Sequence, residues 1–225
     1  MSNEISSQTQ EYFQKNKYVV IRNFLDPNIV GLIYRYCITQ VMAMDYKFTY
    51  DRDSYDKRWD GEWKDVQAPG SYSKYGDVLM DTVMTSCLPL IQNYTGLSLV
   101  PNYTYWRHYQ KDVELVPHRD RFSCEISATI CLGYDTSNLD SKEYPDYSWP
   151  IFMEDLSGAN PNGIEVQMKP GDIIIYKGCE LTHWRDKCIS LAHAQLFMHY
   201  NTRVSDNQVM FDGRPIIGIP KDCLI

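Results

Sequence analysis

Clustered positive charge and long apolar runs are both missing from this 225-residue sequence. Its 22 basic residues are scattered among 29 acidic ones, which gives a formal net charge of −7. Because non-specific nucleic-acid binding depends on clustered lysine and arginine, the sequence gives no strong nucleic-acid signal, and a nucleobase is the less favoured class of substrate. No apolar run approaches the ~20 residues that a membrane-spanning helix needs, and the polar start MSNEISSQTQEYFQKN lacks an apolar signal core. We therefore expect a soluble, cytoplasmic protein that does not bind membranes.

Paired cysteines are missing as well. The seven cysteines form an odd set without any Cys-x-x-Cys pair. In a chain without a secretion signal, we therefore expect reduced thiols. Cys179, His183 and Cys188 offer three conceivable zinc ligands. Structural zinc sites normally take four ligands from recognisable Cys/His pairs, so we do not favour zinc here.

Aromatic residues, by contrast, are plentiful. Hydrophobic residues make up 44% of the chain and aromatic residues 13%, with 18 tyrosines. This composition supplies a large core, and the length fits one domain. Changes in sequence texture divide that domain into a helical lead-in over 1–96, a strand-rich core over 97–203 and a tail over 204–225.

The lead-in predicts one short strand and two helices. Tyr18–Ile21 is rich in β-forming residues. Asp26 suits the cap of the first helix, and Pro27 at the first helical position loses no hydrogen bond there. The second helix is predicted over Asp77–Tyr94.

Residues 45–75, between these helices, are rich in charged and aromatic residues and have no clear periodicity. A loop of this length inside a compact domain is usually functional or disordered. Its five tyrosines and two tryptophans argue against disorder. Two interpretations stay open, an ordered lid over an active site and a purely structural excursion.

After Leu97 the sequence consists of short β-rich runs separated by proline, glycine, asparagine and aspartate. Several short strands with turns between them predict a sandwich or barrel. Helices first and strands second predict that the helices cover one face of the paired sheets. The predicted fold class is therefore mainly β with flanking helices. The runs are NYTYWRHYQ, CEISATICLGY, WPIFMED, GIEVQM, GDIIIYK and AHAQLFMHY.

Three residues in this core have the properties of metal ligands. His118 and Asp120 are separated by one residue at the predicted start of a strand, and in extended chain they point to the same side. His183 lies far downstream on a predicted late strand. Two histidines and one carboxylate form the facial triad of non-haem iron(II) oxygenases, which holds the ion and leaves coordination positions open.

The wider arrangement, Y-x8-H-x-D followed by PGD-x3-Y and H, resembles the iron(II)- and 2-oxoglutarate-dependent dioxygenases, and among them the prolyl-4-hydroxylase-like branch. The resemblance covers residues 101–201. It implies a double-stranded β-helix, or jelly roll, with His118, Asp120 and His183 holding iron(II) at one open end.

The resemblance also implies an activity. The co-substrate would be 2-oxoglutarate, with ascorbate as a further candidate cofactor. The reaction would hydroxylate a prolyl or other amino-acid side chain, with succinate and carbon dioxide as co-products. The expected partner is therefore a small molecule or a peptide.

One departure from that family concerns the cation that binds the far carboxylate of 2-oxoglutarate. The family usually has an arginine or lysine about ten residues after the second histidine, and here His193 occupies that position. Arg107 is our first candidate, because a guanidinium can hold a carboxylate in a fork. It shares a strand face with Tyr109, which by resemblance helps to hold 2-oxoglutarate. Arg185, two residues after His183, is the second candidate.

Strand alternation indicates which other side chains enter the barrel. If the apolar faces of two strands pack on the helices, the opposite faces point inward. Those faces are too polar for an ordinary core, since buried polar groups need partners, and they suit a dicarboxylate. The inward residues are Ser127, Thr129, Cys131, His193 and Gln195.

Fold alone does not decide function, and cupin-like metal-dependent isomerases and small-molecule binding modules use the same architecture. Cupin sites usually combine three histidines with a glutamate. Here the second ligand is an aspartate after one spacer, which favours the oxygenase. We interpret the remaining histidines, His108 and His199, as hydrogen-bonded sheet residues. Nothing in the sequence indicates the oligomeric state.

Overall fold

Two antiparallel β-sheets face each other at the centre of the structure. The computed structural model describes residues 2–204 and 209–220; within the predicted tail 204–225, residues 205–208 and 221–225 lie outside this description. The described strands are β1 (Tyr18–Ile21), β2 (Tyr72–Tyr75), β3 (Leu99–Gln110), β4 (Leu115–His118), β5 (Ile126–Asp135), β6 (Ile151–Met153), β7 (Ile164–Val166), β8 (Ile173–Tyr176), β9 (His183–Arg185) and β10 (Ala192–Thr202).

The strand order is that of a jelly roll. The larger sheet has the order β1-β8-β5-β10-β3-β2, and the smaller has the order β4-β9-β6-β7. The eight consecutive strands from β3 to β10 distribute themselves over both sheets, while β1 and β2 extend the edges of the larger one. The predicted mainly β class and jelly-roll architecture are confirmed.

Helices cover the outer face of the larger sheet. They are α1 (Ser2–Asn16), α2 (Pro27–Tyr50), α3 (Lys57–Asp60) and α4 (Val78–Thr95), with short 3-10 turns at Arg52–Ser54, Phe122–Cys124 and Met210–Gly213. Asp26 caps α2 as predicted, because its carboxylate accepts from the backbone N–H of Asn28 at 2.8 Å. Within the described ranges, no helix combines the length and the apolarity that a membrane crossing requires.

The main core lies between these helices and the larger sheet. The apolar face of β5 and that of β10 pack there, as the alternation predicted, against buried side chains of α2 and α4. The opposite faces therefore point between the two sheets. The core residues include Ile33, Cys37, Met80, Met84, Ile126, Ala128, Ile130, Leu132, Ala194, Leu196 and Met198.

Two sequence expectations about element boundaries are wrong. The predicted loop over 45–75 begins too early, because α2 continues to Tyr50, where Tyr46 and Tyr50 pack one turn apart at 4.8 Å. The loop also ends earlier, since β2 pairs with β3. His118 ends β4 instead of starting a strand, because β4 pairs with β9 and the chain then turns before β5.

The cysteines that the structure describes are free thiols, as expected for a reduced protein. Five of them are buried and Cys179 is partly exposed. Cys223 lies outside the described residues.

Candidate active site

His118, Asp120 and His183 converge at one end of the sheet pair. The first and last of these face each other because His118 of β4 pairs with His183 of β9, which places their ring centroids 4.3 Å apart. Asp120 Oδ1 lies 3.7 Å from His118 Nε2 and 3.6 Å from His183 Nε2. The three ligand atoms lie within 4.8 Å of one another, so a single ion could bind them all.

Backbone carbonyl groups orient both imidazoles. Nδ1 of His118 donates to the Val116 carbonyl at 2.9 Å, and Nδ1 of His183 donates to the Leu181 carbonyl at 3.0 Å. Because a carbonyl only accepts, each ring is protonated on Nδ1, and each Nε2 presents its lone pair toward Asp120. Burial also lowers the pKa of His183, which favours the neutral form that binds metal.

Asp120 is held by three contacts that leave one carboxylate oxygen available. Its backbone N–H donates to the Gly178 carbonyl at 2.9 Å. Its Oδ2 accepts from the Ser127 hydroxyl at 2.6 Å. Gly178 also packs against the carboxylate so closely that a Cβ there would lie 2.4 Å from Oδ2. Oδ1 is the oxygen that faces the two histidines.

This donor set fits a divalent metal of the iron type. Two neutral imidazoles and one carboxylate on one side of the ion match the facial triad and leave the other side open to a cleft of about 550 Å³. A second cluster within the described residues joins Asp120 to Cys124 and His199. Burial raises the pKa of Cys124 to about 12, and its thiol already has a partner in the Tyr103 hydroxyl, 3.0 Å away.

The alternative zinc ligands do not come together. Among the residues that the structure describes, Cys179, His183 and Cys188 form no common cluster. The thiol of Cys179 donates to the Arg121 carbonyl, and that of Cys188 lies 3.2 Å from the Ser190 hydroxyl.

Arg185 is a buried cation between the two sheets. Its side chain extends from β9, two residues after His183, and the residue is only 1% exposed. One terminal nitrogen donates to the Trp149 carbonyl at 2.6 Å, the guanidinium lies 4.9 Å from the Trp149 ring, and Nε has no partner. No carboxylate of the described residues pairs with it, and burial lowers the pKa of Arg185. Such a group is unfavourable unless an anion joins it.

The predicted inward side chains form a polar chain in the same interior. His193 Nε2 donates to Gln195 Oε1 at 3.0 Å, and Gln195 Nε2 donates to the Thr129 hydroxyl at 2.6 Å. His193 Nδ1 is buried without a partner. Burial, together with the charge of Arg185, lowers the pKa of His193 to about 3. Burial likewise raises the pKa of Cys131 to about 12, against the opposing charge of Arg185.

Arg107 has a different environment from the one we expected. Its Nε and one terminal nitrogen lie 2.6 Å from Asp65 Oδ2, and its other terminal nitrogen donates to the Tyr109 hydroxyl at 3.1 Å. Gln67 supplies a further acceptor at 2.7 Å. The charge of Arg107 is thus already paired with the Asp65 carboxylate. Among the described residues it is Arg185, our second candidate, that lies between the sheets without a carboxylate partner.

Comparisons with solved structures identify the fold. No known protein-family model matches the sequence, and no curated protein sequence matches it either. A prolyl-4-hydroxylase of Pseudomonas putida superimposes with a TM-score of 0.59 at 13% identity, covering 88% of this chain and 99% of that chain. The non-haem alpha-ketoglutarate-dependent epimerase SnoN from nogalamycin biosynthesis superimposes with a TM-score of 0.59 at 11% identity, covering 96% of this chain and 95% of that chain. HygX from Streptomyces hygroscopicus, with nickel and 2-oxoglutarate bound, superimposes with a TM-score of 0.55 at 12% identity, covering 87% of each of the two chains.

The chain has the fold of the 2-oxoglutarate oxygenases. This is the double-stranded β-helix that the resemblance implied. At these identities the likeness establishes the architecture alone.

Sequence reasoning did not place His199 beside the metal cleft. We interpreted it as an ordinary hydrogen-bonded sheet residue, and it does bond within the sheet, but it also lines the cleft and its partner is Ser127, the residue that holds Asp120. Strand alternation was a usable signal, since His193, Gln195 and His199 are separated by even numbers of residues along β10. Tyr176, the last residue of PGD-x3-Y, also lies against His183, with ring centroids 4.7 Å apart.

Proposed function

We propose that this protein is an iron(II)- and 2-oxoglutarate-dependent oxygenase that hydroxylates a prolyl or other amino-acid side chain, free or peptidyl. The observation that carries the proposal is the convergence of His118 Nε2, His183 Nε2 and Asp120 Oδ1 at a cleft of the oxygenase fold. Three protein ligands on one side leave room for a co-substrate and oxygen.

In this proposal His118, Asp120 and His183 hold the iron. Iron(II) bound there would supply the oxygen-activating chemistry, with succinate and carbon dioxide as co-products. The protein's own residues orient the ligands and limit the access of water. The two backbone carbonyls fix the histidine tautomers, Ser127 fixes the carboxylate, and the Tyr176 ring covers His183 from the interior.

Arg185 replaces Arg107 as the first candidate for the anchor of the far 2-oxoglutarate carboxylate. Arg185 is buried, lacks a carboxylate among the described residues and has an unpartnered Nε, whereas Asp65 neutralises Arg107. The charge of Arg185 also acts on His193, the residue that stands where the family usually has its cation. In this proposal Arg185 of β9 binds the far carboxylate in place of the cation that the family usually has on the strand of His193, β10.

The other predicted contacts to 2-oxoglutarate surround this guanidinium. Arg185 interacts electrostatically with Tyr109 and Cys131, while His193, Gln195 and Thr129 line the same interior with polar atoms. The unpartnered His193 Nδ1 is a hydrogen-bond acceptor. A bound ligand would satisfy it with a protonated group or through a bridging water molecule. Tyr109 thus interacts with both arginines, through a hydrogen bond from Arg107 at 3.1 Å and electrostatically with Arg185.

The substrate class is supported by the site and by the kinds of proteins that share the fold. The prolyl hydroxylase of Trichoplax adhaerens, which carries a peptide fragment, is similar with a TM-score of 0.54 at 12% identity, and HygX has been solved with hygromycin B. The cleft of this chain has phenol side chains and both signs of charge on its walls. Such walls suit a polar amino-acid or peptide group better than an apolar one.

The test is the binding of 2-oxoglutarate to the iron(II)-loaded protein without oxygen. We expect a new visible absorption band in the unsubstituted protein and none in His183→Ala. We also expect 2-oxoglutarate to raise the melting temperature of the loaded protein, because a ligand that binds only the folded state stabilises it. If neither response occurs, a cupin-like isomerase or binding module becomes the better interpretation.

The two arginines can be separated in the same experiment. Arg185→Met should raise the concentration of 2-oxoglutarate needed for half-saturation about 100-fold or more. The reason is that losing one partner of a buried charge pair costs about 3–5 kcal/mol. This variant should leave the melting temperature of the ligand-free protein unchanged or higher, because it removes an unpaired buried charge. Arg107→Met should show the opposite pattern, with a lower melting temperature and little change in that concentration. If the two patterns are reversed, Arg107 is the anchor.

A further inference from the structure

We propose that Ser127 and His199 are positioning residues that hold Asp120 as a one-oxygen ligand of the metal. This inference rests on the proposed metal site and deepens it. Ser127 lies on β5 and His199 on β10, and the two residues are direct register partners in the larger sheet. The Ser127 side chain contacts Asp120, and the His199 side chain contacts Ser127.

The direction of each hydrogen bond follows from the number of protons available. The Asp120 carboxylate only accepts, so the single Ser127 hydroxyl proton points to Asp120 Oδ2 at 2.6 Å. The Ser127 oxygen then acts as the acceptor for His199 Nδ1, which lies 3.0 Å away. His199 therefore donates to Ser127, and Ser127 donates to Asp120.

His199 has a specific task in this chain. The Cys124 carbonyl also lies within reach of the Ser127 hydroxyl, at 3.3 Å, and is a competing acceptor. A hydroxyl rotates to suit its partners. By donating to the Ser127 oxygen, His199 leaves the serine proton directed toward Asp120. The His199 ring is itself held against Tyr103, with ring centroids 4.6 Å apart.

The consequence concerns the number of open positions on the metal. A carboxylate with two free oxygens can bind an ion through one or both of them. Because Oδ2 is engaged by Ser127, Asp120 presents only Oδ1 to the histidines. A second carboxylate oxygen on the metal would occupy a position that the co-substrate or oxygen needs.

The experiment titrates the metal-free protein with cobalt(II) in the absence of oxygen and follows visible absorption. Ser127→Ala and His199→Leu should each weaken cobalt affinity about 10-fold to 100-fold, as is typical when a partner of a metal ligand is removed. Both should also change the cobalt absorption spectrum, which reports coordination number. His199→Asn should restore affinity and spectrum, because the Asn amide N–H takes the place of Nδ1.

A matched control is His108→Leu. His108 is also a nearly buried sheet histidine, 8% exposed against 7% for His199, but its hydrogen bond goes to Gln110. This variant should bind cobalt like the unsubstituted protein. Circular dichroism of each variant establishes that it is folded before its affinity is compared.

The outcomes separate the two levels of the proposal. Unchanged affinity and spectrum in Ser127→Ala, or equal losses in His199→Asn and His199→Leu, would overturn the positioning role. Failure of the unsubstituted protein to bind cobalt, or binding that survives His183→Ala, would overturn the metal site itself.

Discussion

The carboxylate of Asp65 lies in the guanidinium fork of Arg107, with Oδ2 2.6 Å from two of its nitrogens. Both side chains are less than one-tenth exposed. The Tyr105 hydroxyl donates to the same oxygen at 2.7 Å. This pair attaches the loop over residues 61–71 to the larger sheet directly beside the metal cleft, which Asp65 and Arg107 both line.

Replacing Asp65 by Asn should loosen that loop. The substitution leaves the Arg107 charge buried without a counter-charge, which typically costs about 3–5 kcal/mol. We expect faster amide hydrogen exchange across residues 61–71 than in the unsubstituted protein. Val66→Ala is the control, since Val66 lies in the same loop and is 90% exposed. Equal protection in Asp65→Asn would show that the pair does not hold the loop. Adding 2-oxoglutarate and a substrate to the same measurement tests the predicted lid role.

The three proposed metal ligands should be individually essential. His118→Ala, Asp120→Ala and His183→Ala each remove one of three converging atoms, so each should abolish oxidation and weaken iron binding. His193→Ala is the control for metal binding alone, because the His193 side chain bonds to Gln195 in the interior. Isothermal titration with a divalent metal measures the effect. A His183→Ala variant that binds normally while His193→Ala does not would mean that the third ligand was chosen wrongly.

Much of the fold could be predicted because local patterns determine it. Alternation in β5 and β10 identified which faces meet the helices, and the capping residue Asp26 identified the start of α2. The metal ligands were recognisable because His-x-Asp and the later histidine have few other roles in that arrangement. The position of His118 at the end of β4 was not recognisable, because it depends on pairing with β9.

The choice between two arginines could not be made from the sequence. Which guanidinium is neutralised depends on Asp65, about forty residues before Arg107 and in a segment without periodicity. The role of the described tail was equally hidden. Arg214 reaches a buried carboxylate more than a hundred residues upstream, and no local pattern encodes such a pairing.

Gly178→Ala should disturb the metal site although the backbone there suits any residue. A Cβ would lie 2.4 Å from Asp120 Oδ2, 2.5 Å from the Cys124 carbonyl oxygen and 2.8 Å from the Ser127 hydroxyl. Either Asp120 or the turn has to move. We expect metal affinity to fall by about 10-fold or more, as for other changes around a metal ligand. Gly31→Ala, in a helix with open space around it, is the control and should bind metal normally. Normal binding by Gly178→Ala would mean that the site relaxes without cost.

Asp81→Asn should destabilise the whole fold. Asp81 is completely buried in α4, and its Oδ2 accepts from Arg214 at 2.9 Å and from the Gly218 backbone N–H at 2.7 Å. Its Oδ1 accepts from the Thr104 hydroxyl at 2.7 Å. Removing the negative charge leaves Arg214 buried and unpaired, so we expect a loss of about 3–5 kcal/mol in the free energy of unfolding. Urea denaturation measures it. A loss below about 1 kcal/mol, the range of an exposed pair, would contradict a buried ion pair here.

Buried His193 should make stability fall on acidification. Its pKa is about 3 in the folded protein against 6.5 ordinarily, because burial disfavours the charged ring. Above pH 6.5 His193 is neutral in both the folded and the unfolded protein, so it no longer lowers the free energy of unfolding there. As the pH falls from 6.5 toward 3, the unfolded chain binds a proton that the folded chain does not. The free energy of unfolding should therefore drop by up to about 1.4 kcal/mol per pH unit for this one group.

Metal-free His193→Asn isolates that contribution. Urea denaturation of both proteins between pH 6.5 and 5, with a chelator present, gives the slope of the free energy of unfolding against pH. In the variant this slope should be smaller by the equivalent of about one bound proton. The lower limit of pH 5 keeps ordinary carboxylates ionised, so the histidines dominate the difference. His199, whose pKa burial lowers to about 4, contributes equally to both proteins and cancels. Identical slopes would mean that His193 is protonated in the folded protein, in which case its unpartnered Nδ1 could not serve as the acceptor proposed for the 2-oxoglutarate pocket.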